Sequence, residues 1–115
     1  MANQPSISRI IVADDHSQDR TGAILEDLKR EIPQLQSIRV ESLPAGWLGK
    51  TYALATAAGL AQGEWLLFTD ADTEHLPDSL AILLERAKSQ QADLLSLSPG
   101  QRMPTRWEKA LIPRV

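Results

Sequence analysis

At 115 residues, 43% of them hydrophobic and 23% charged, with a formal charge of −3, the sequence has room for one core and lacks the basic excess of a nucleic-acid binder. The absence of cysteine excludes disulfide frameworks, thiolate zinc sites and cysteine nucleophiles and suits a reducing compartment; two histidines, His16 and His75, are too few for a histidine-rich metal site. No run approaches the ~20 apolar residues that span a bilayer, and the polar start MANQPSISR is unlike a signal peptide, so the expectation is a soluble, cytoplasmic domain over 1–115.

The β-branched run Arg9-Ile10-Ile11-Val12-Ala13 predicts a buried parallel strand that emerges at Asp14 and Asp15. Ser17 or Thr21 is placed to cap the helix that follows, from Gly22 to Ile32, whose Ile24, Leu25, Leu28 and Ile32 share one face before Pro33 ends it. Ser37 to Glu41 alternates as a short second strand, and the loop Leu43-Pro44-Ala45-Gly46-Trp47 leads to a helix over Thr51 to Ala61, with Gly63 as its stop. Glu64 to Thr69 carries the apolar block Trp65-Leu66-Leu67-Phe68 and predicts a third, central strand ending in aspartates. Pro77, in a first helical turn beside Asp78 and Ser79, opens a helix with Leu80, Leu83, Leu84 and Ala87 toward the sheet. A fourth strand over Asp93 to Ser98 and a short helix over Thr105 to Ile112, with Trp107 as a packing residue, complete the series. Strands alternating with helices imply an α/β fold with a mostly parallel sheet, flanking helices and right-handed crossovers. In such folds ligands bind beyond the carboxyl ends of the strands, where both aspartate pairs fall.

Three segments carry candidate chemistry. Asp14-Asp15 at a strand tip can accept hydrogen bonds from a base or ribose, or can cap the next helix. Asp70-Ala71-Asp72 places two hard carboxylates one residue apart, a set suited to Mg²⁺ or Mn²⁺ on a diphosphate, although two acids at that spacing are common by chance. Gly46-Trp47-Leu48-Gly49-Lys50-Thr51 ends like a phosphate-binding loop, yet Pro44 stands where the Walker pattern requires its first glycine. Lys50 at a helix start can still meet an anion or be simply solvated, and Trp47 can stack on a ligand or pack its loop.

The order of these three motifs, from Ile10 onward, resembles family 2 glycosyltransferases of the GT-A fold, and within them the hopanoid, carotenoid and ceramide glucosyltransferase-like group. The resemblance implies a Rossmann-like nucleotide-binding half that holds a nucleoside diphosphate sugar, a uridine diphosphate species by expectation. Asp15, with Asp14 beside it, would read the base; Lys50 would lie near base, ribose or phosphate; Asp70 and Asp72 would hold the ribose and a divalent metal, Mg²⁺ or Mn²⁺. His16 stands where the family has a small residue such as glycine.

The resemblance further implies a first strand before Arg9, where eight residues stand, and an acceptor half after Val115. The chain therefore reads as a donor-binding fragment, inactive alone, with no residue to nominate as catalytic base. A lipid is one acceptor the family uses, and membrane contact would come through segments outside this sequence. Without that first strand, Arg9–Ala13 and Glu64–Thr69 should pair directly, giving the parallel order Ser37–Glu41, Arg9–Ala13, Glu64–Thr69, Asp93–Ser98, since unpaired buried backbone groups cost about 1–3 kcal/mol each. Rival readings are a signalling receiver domain, which would need Asp70 or Asp72 as phospho-acceptor and Lys109 as its lysine at poorly fitting spacings, and a non-catalytic α/β remnant.

Overall fold

The computed structural model describes residues 7–98. They fall into two compact units, the first reaching to Ala71 and the second starting at Asp72.

The first unit is built on a strand–helix–strand repeat: β1 (Ile10–Asp15), α1 (Thr21–Glu31) and β2 (Leu35–Val40). The strands pair in parallel from Ile10 opposite Leu35 to Asp15 opposite Val40. A parallel pair cannot be joined by a hairpin, and α1 is the crossover. Its Leu25 is buried, Leu28 and Ile32 are half-buried, and Ile24, expected on the same face, is 51% exposed. Ile32 is extended (φ −119°, ψ 94°), as the residue before a proline must be, which ends α1 one residue early. Neither Ser17 nor Thr21 caps α1. The carboxylate of Asp19 instead accepts the Thr21 N–H at 2.9 Å and the Thr21 hydroxyl, while the Ser17 N–H is taken by Asp14.

A chain reversal after β2 delivers α2 (Gly49–Ala58), which packs against β1 as α1 packs against β2. Ala53 and Ala57, one turn apart, are buried, so methyl groups rather than long side chains line the inner face of α2. The helix starts two residues before the expected Thr51. It stops at Ala58 with Gly59 as its cap, so Gly63 is not the terminator. Arg9 ties the start of β1 to the segment after α2, donating to the Leu60 carbonyl at 2.9 Å and to Gln62 Oε1 at 3.0 Å.

The two expected later strands do not form. Among the described residues the sheet consists of β1 and β2, so the pairing of Arg9–Ala13 with Glu64–Thr69 is also absent. The physical reason is legible in the exposures: Leu66, Leu67 and Phe68 are 49%, 48% and 57% exposed, and Leu94 and Leu97 are 87% and 54% exposed. An apolar run marks a capacity for burial, but a strand exists only where a neighbour completes its hydrogen bonds. The closure expected of β1 onto 64–69 has not taken place.

The second unit contains α3 (Ser79–Ser89), with Leu80 and Ala87 buried two turns apart and Leu83 and Leu84 half-buried. Pro77 precedes α3 rather than occupying its first turn, and Asp78 between them is left-handed at φ 62°. The expected helix over 105–112, with Trp107 and Lys109, lies outside the described residues. No helix among the described residues is long and apolar enough to cross a membrane.

Candidate functional site

The two aspartates at the end of β1 have different situations. Alternation along the strand turns Asp14 inward, where it is 6% exposed, and Asp15 outward. Asp14 Oδ1 accepts the Ser17 N–H at 3.0 Å. Hydrogen bonding from the Ser17 hydroxyl and backbone holds the Asp14 carboxyl below its ordinary range, with Arg39 adding to the effect and burial opposing it. Arg39 is the register partner of Asp14 on β2, and its guanidinium makes a long hydrogen bond of 3.4 Å to the Ser17 carbonyl. Asp14 thus fixes the turn rather than capping α1. The residue that makes the turn possible is His16, left-handed at φ 58°, the conformation for which glycine is the usual choice. Its Nδ1 lies 3.7 Å from Asp15 Oδ1, and both side chains are about half exposed at 52% and 48%.

The loop before α2 brings a second segment to the end of β1. Trp47 N–H donates to the Pro44 carbonyl at 3.2 Å, closing a four-residue turn. The third position of that turn, Gly46, has φ +85°, as a type II turn demands. Trp47 packs edge-on against Tyr52 of α2 with ring centroids 5.4 Å apart and remains 43% exposed, so it serves its loop and still shows a face to solvent. The turn sets the first residue of α2 directly beside β1: a methyl group built on Gly49 would stand 2.6 Å from Asp15 Oδ2.

Lys50 follows in the first turn of α2, and its Nζ lies 2.6 Å from Asp70 Oδ1. Both groups are exposed, at 71% and 61% of their side-chain surface. Asp70 ends the 64–70 segment, and Asp72 opens the second unit as an exposed residue. Among the described residues no group of three or more His, Cys, Asp or Glu is gathered that could hold a metal ion.

The structure thus brings Asp15 to Gly49 and Lys50 to Asp70, and it buries Asp14 in the turn. Sequence reasoning missed two residues. Arg39 became visible only through the strand register that sets it opposite Asp14. Gly49 was read only as part of the loop before an expected helix start at Thr51, and its neighbour across the chain was not legible.

A parallel βαβ unit with two aspartates at the tip of its first strand and a glycine–lysine helix start beside them defines a Rossmann-like α/β domain. The chain belongs to glycosyl transferase family 2, whose model it matches over residues 1–114. It is 31% identical over 91 residues to a 4,4'-diaponeurosporenoate glycosyltransferase of Staphylococcus haemolyticus, an alignment covering 77% of this chain and 24% of the relative. It is 38% identical over 69 residues to a beta-monoglucosyldiacylglycerol synthase of Synechocystis sp., covering 60% of this chain and 14% of the relative. The chain therefore spans a quarter or less of the curated relatives it matches. No solved structure matches it. Family membership displaces the receiver-domain reading.

Proposed function

We propose that this chain binds the nucleoside diphosphate part of a sugar donor, and that an enzyme built on it transfers the sugar to a lipid acceptor. The observation that carries the reading is the pairing of Lys50 with Asp70 in the same unit that sets Asp15 against the start of α2. Three groups that a nucleotide diphosphate needs, an acceptor for base N–H, a cation for phosphate and a carboxylate for ribose, are thereby carried on the ends of β1, α2 and the 64–70 segment. The names of the two relatives, one a glycosyltransferase and the other a monoglucosyldiacylglycerol synthase, support a glycosyl donor and favour a lipid acceptor.

Each residue's role follows from its chemistry. Asp15, exposed at the end of β1, accepts the imide N–H of uracil. Lys50 places a positive charge at the amino end of α2, where the helix dipole has the same sign, and so stabilises the charge that builds on the diphosphate as it leaves. Asp70 accepts hydrogen bonds from ribose hydroxyls. Asp70 and Asp72 would hold Mg²⁺ or Mn²⁺ together with phosphate oxygens, and the ion would neutralise the diphosphate.

Calorimetric titration of the chain with UDP, ADP and GDP, with Mn²⁺ and with chelator, tests the reading. Binding of UDP in preference to the purine nucleotides, strengthened by Mn²⁺, is the expected result. Equal affinity for all three would remove the base role of Asp15, and unchanged metal-dependent binding by Asp72→Ala would remove the metal role of that residue.

A further inference from the structure

We infer that Gly49 is a positioning residue for the base-reading carboxylate: the missing side chain at the first position of α2 is the space in which Asp15 rests. The inference rests on the proposed role of Asp15 and adds a second residue to it.

Two other reasons for a glycine at this position fail. Backbone conformation does not require one, because Gly49 is the first helical residue of α2 and lacks the positive φ that Gly46 shows at +85°. Helix propensity argues against one, since glycine costs up to about 1 kcal/mol relative to alanine within a helix. What distinguishes the site is proximity. A Cβ there would meet Asp15 Oδ2 at 2.6 Å, Cγ at 3.6 Å and Oδ1 at 3.9 Å, whereas a Cβ at Gly46 or Gly22 meets nothing within 4 Å.

The neighbour that would clash is the tip of a side chain, not backbone. An alanine methyl would therefore turn the carboxylate aside to an ordinary contact of roughly 3.5 Å or more rather than break the fold. Among the described residues the other charged group beside Asp15 is His16, whose Nδ1 stands 3.7 Å away, beyond hydrogen-bond length, while the Ser17 N–H belongs to Asp14. The orientation of Asp15 is thus set by the surface it lies on, and that surface is the first turn of α2, whose N-cap residue Leu48 supplies no side-chain cap. The partial positive charge of a helix amino end favours a carboxylate there.

The test is a double-mutant cycle of Gly49→Ala and Asp15→Ala, read by titration with UDP and ADP and, separately, by thermal melting without nucleotide. Gly49→Ala should weaken UDP binding about tenfold or more and reduce its preference over ADP, since displacements of the order of an ångström at a binding group are costly. It should do nothing further in the Asp15→Ala background. In melting, the helix-propensity gain of alanine should appear fully only once Asp15 is removed. Parent-like UDP binding by Gly49→Ala, with Asp15→Ala impaired, would overturn the positioning role and leave the base assignment standing. UDP binding undiminished by Asp15→Ala would overturn the base assignment and the inference with it. If UDP binding is too weak to titrate, melting decides: additive effects of the two substitutions would overturn the contact, and coupled effects support it.

Discussion

Lys50 Nζ lies 2.6 Å from Asp70 Oδ1, joining the first turn of α2 to the end of the 64–70 segment through two exposed side chains. In water such a pair contributes at most about 1 kcal/mol, because solvent screens the attraction and two mobile side chains must be ordered. The pair is thus poorly explained as a stabilising device; under the proposed function the two are binding groups that neutralise each other until a ligand separates them. Lys50→Met should leave the melting temperature nearly unchanged while weakening UDP binding by tenfold or more. A large drop in melting temperature with unchanged UDP affinity would show the pair to be structural.

The left-handed backbone of His16, φ 58°, gives an ordered stability series. A non-glycine residue in this region pays roughly 1–2 kcal/mol, and a β-branched residue pays more. His16→Gly should be as stable as the parent or up to about 1 kcal/mol more stable, part of the gain being lost to the greater freedom of glycine in the unfolded chain. His16→Val should be less stable than both. Urea denaturation midpoints give the order directly, and a valine variant as stable as the parent would rule out the positive φ.

Asp14 should leave its own mark on the acid end of the stability curve, with a mutational cost to match. Because Ser17 holds the Asp14 carboxyl below its ordinary value of 3.8, the folded state favours the ionised form more than the unfolded state does. That stabilisation is therefore fully present above the ordinary value and is lost as pH falls through the lower native one. Asp14→Asn keeps an oxygen for the Ser17 N–H and should mainly flatten the loss of stability in this acid window. Asp19, also lowered by hydrogen bonds from Thr21, continues to contribute there. Asp14→Ala orphans the N–H and should cost about 1 kcal/mol at neutral pH. Acid titrations followed by circular dichroism would show whether Asp14→Asn retains the full parental slope, in which case the turn bond is not the source.

The strand–helix–strand repeat was legible because its signals are local: a β-branched run ending in Asp14-Asp15, a helical stripe through Leu25 and Leu28, and Pro33 as a stop. The ends were less so. The Gly46 turn starts α2 at Gly49, two residues before the expected Thr51, and Gly59 rather than Gly63 stops it. Neither choice can be made without knowing what the turn packs against. The same limit explains the site. That Lys50 begins a helix can be read from the chain, but that its charge meets Asp70, and that Gly49 touches Asp15, are consequences of packing between segments distant in sequence. The third and fourth strands failed for the complementary reason, since the apolar pattern of Trp65–Phe68 cannot specify whether a pairing edge stands beside it.

That last failure gives a residue-level prediction for amide exchange. Ile10 N–H donates to the Gln34 carbonyl at 3.0 Å, which fixes the direction in which the amides of β1 point. Because successive residues of a strand alternate, the amides of Val12 and Asp14 face β2 as Ile10 does, and those of Ile11 and Ala13 face the other edge. Among the described residues that edge carries no strand, and Leu66, Leu67 and Phe68 lie about half exposed instead of pairing along it. Hydrogen exchange followed by NMR should therefore show Val12 and Asp14 protected, Ile11 and Ala13 exchanging much faster, and residues 65–69 with little protection. Exchange slows where backbone groups are paired and opening requires unfolding, so alternating protection is the signature of a strand with one neighbour. Protection of Ile11 and Ala13 together with alternate amides in 65–69 would show instead that the segment closes onto β1 in solution and that the sheet has three strands.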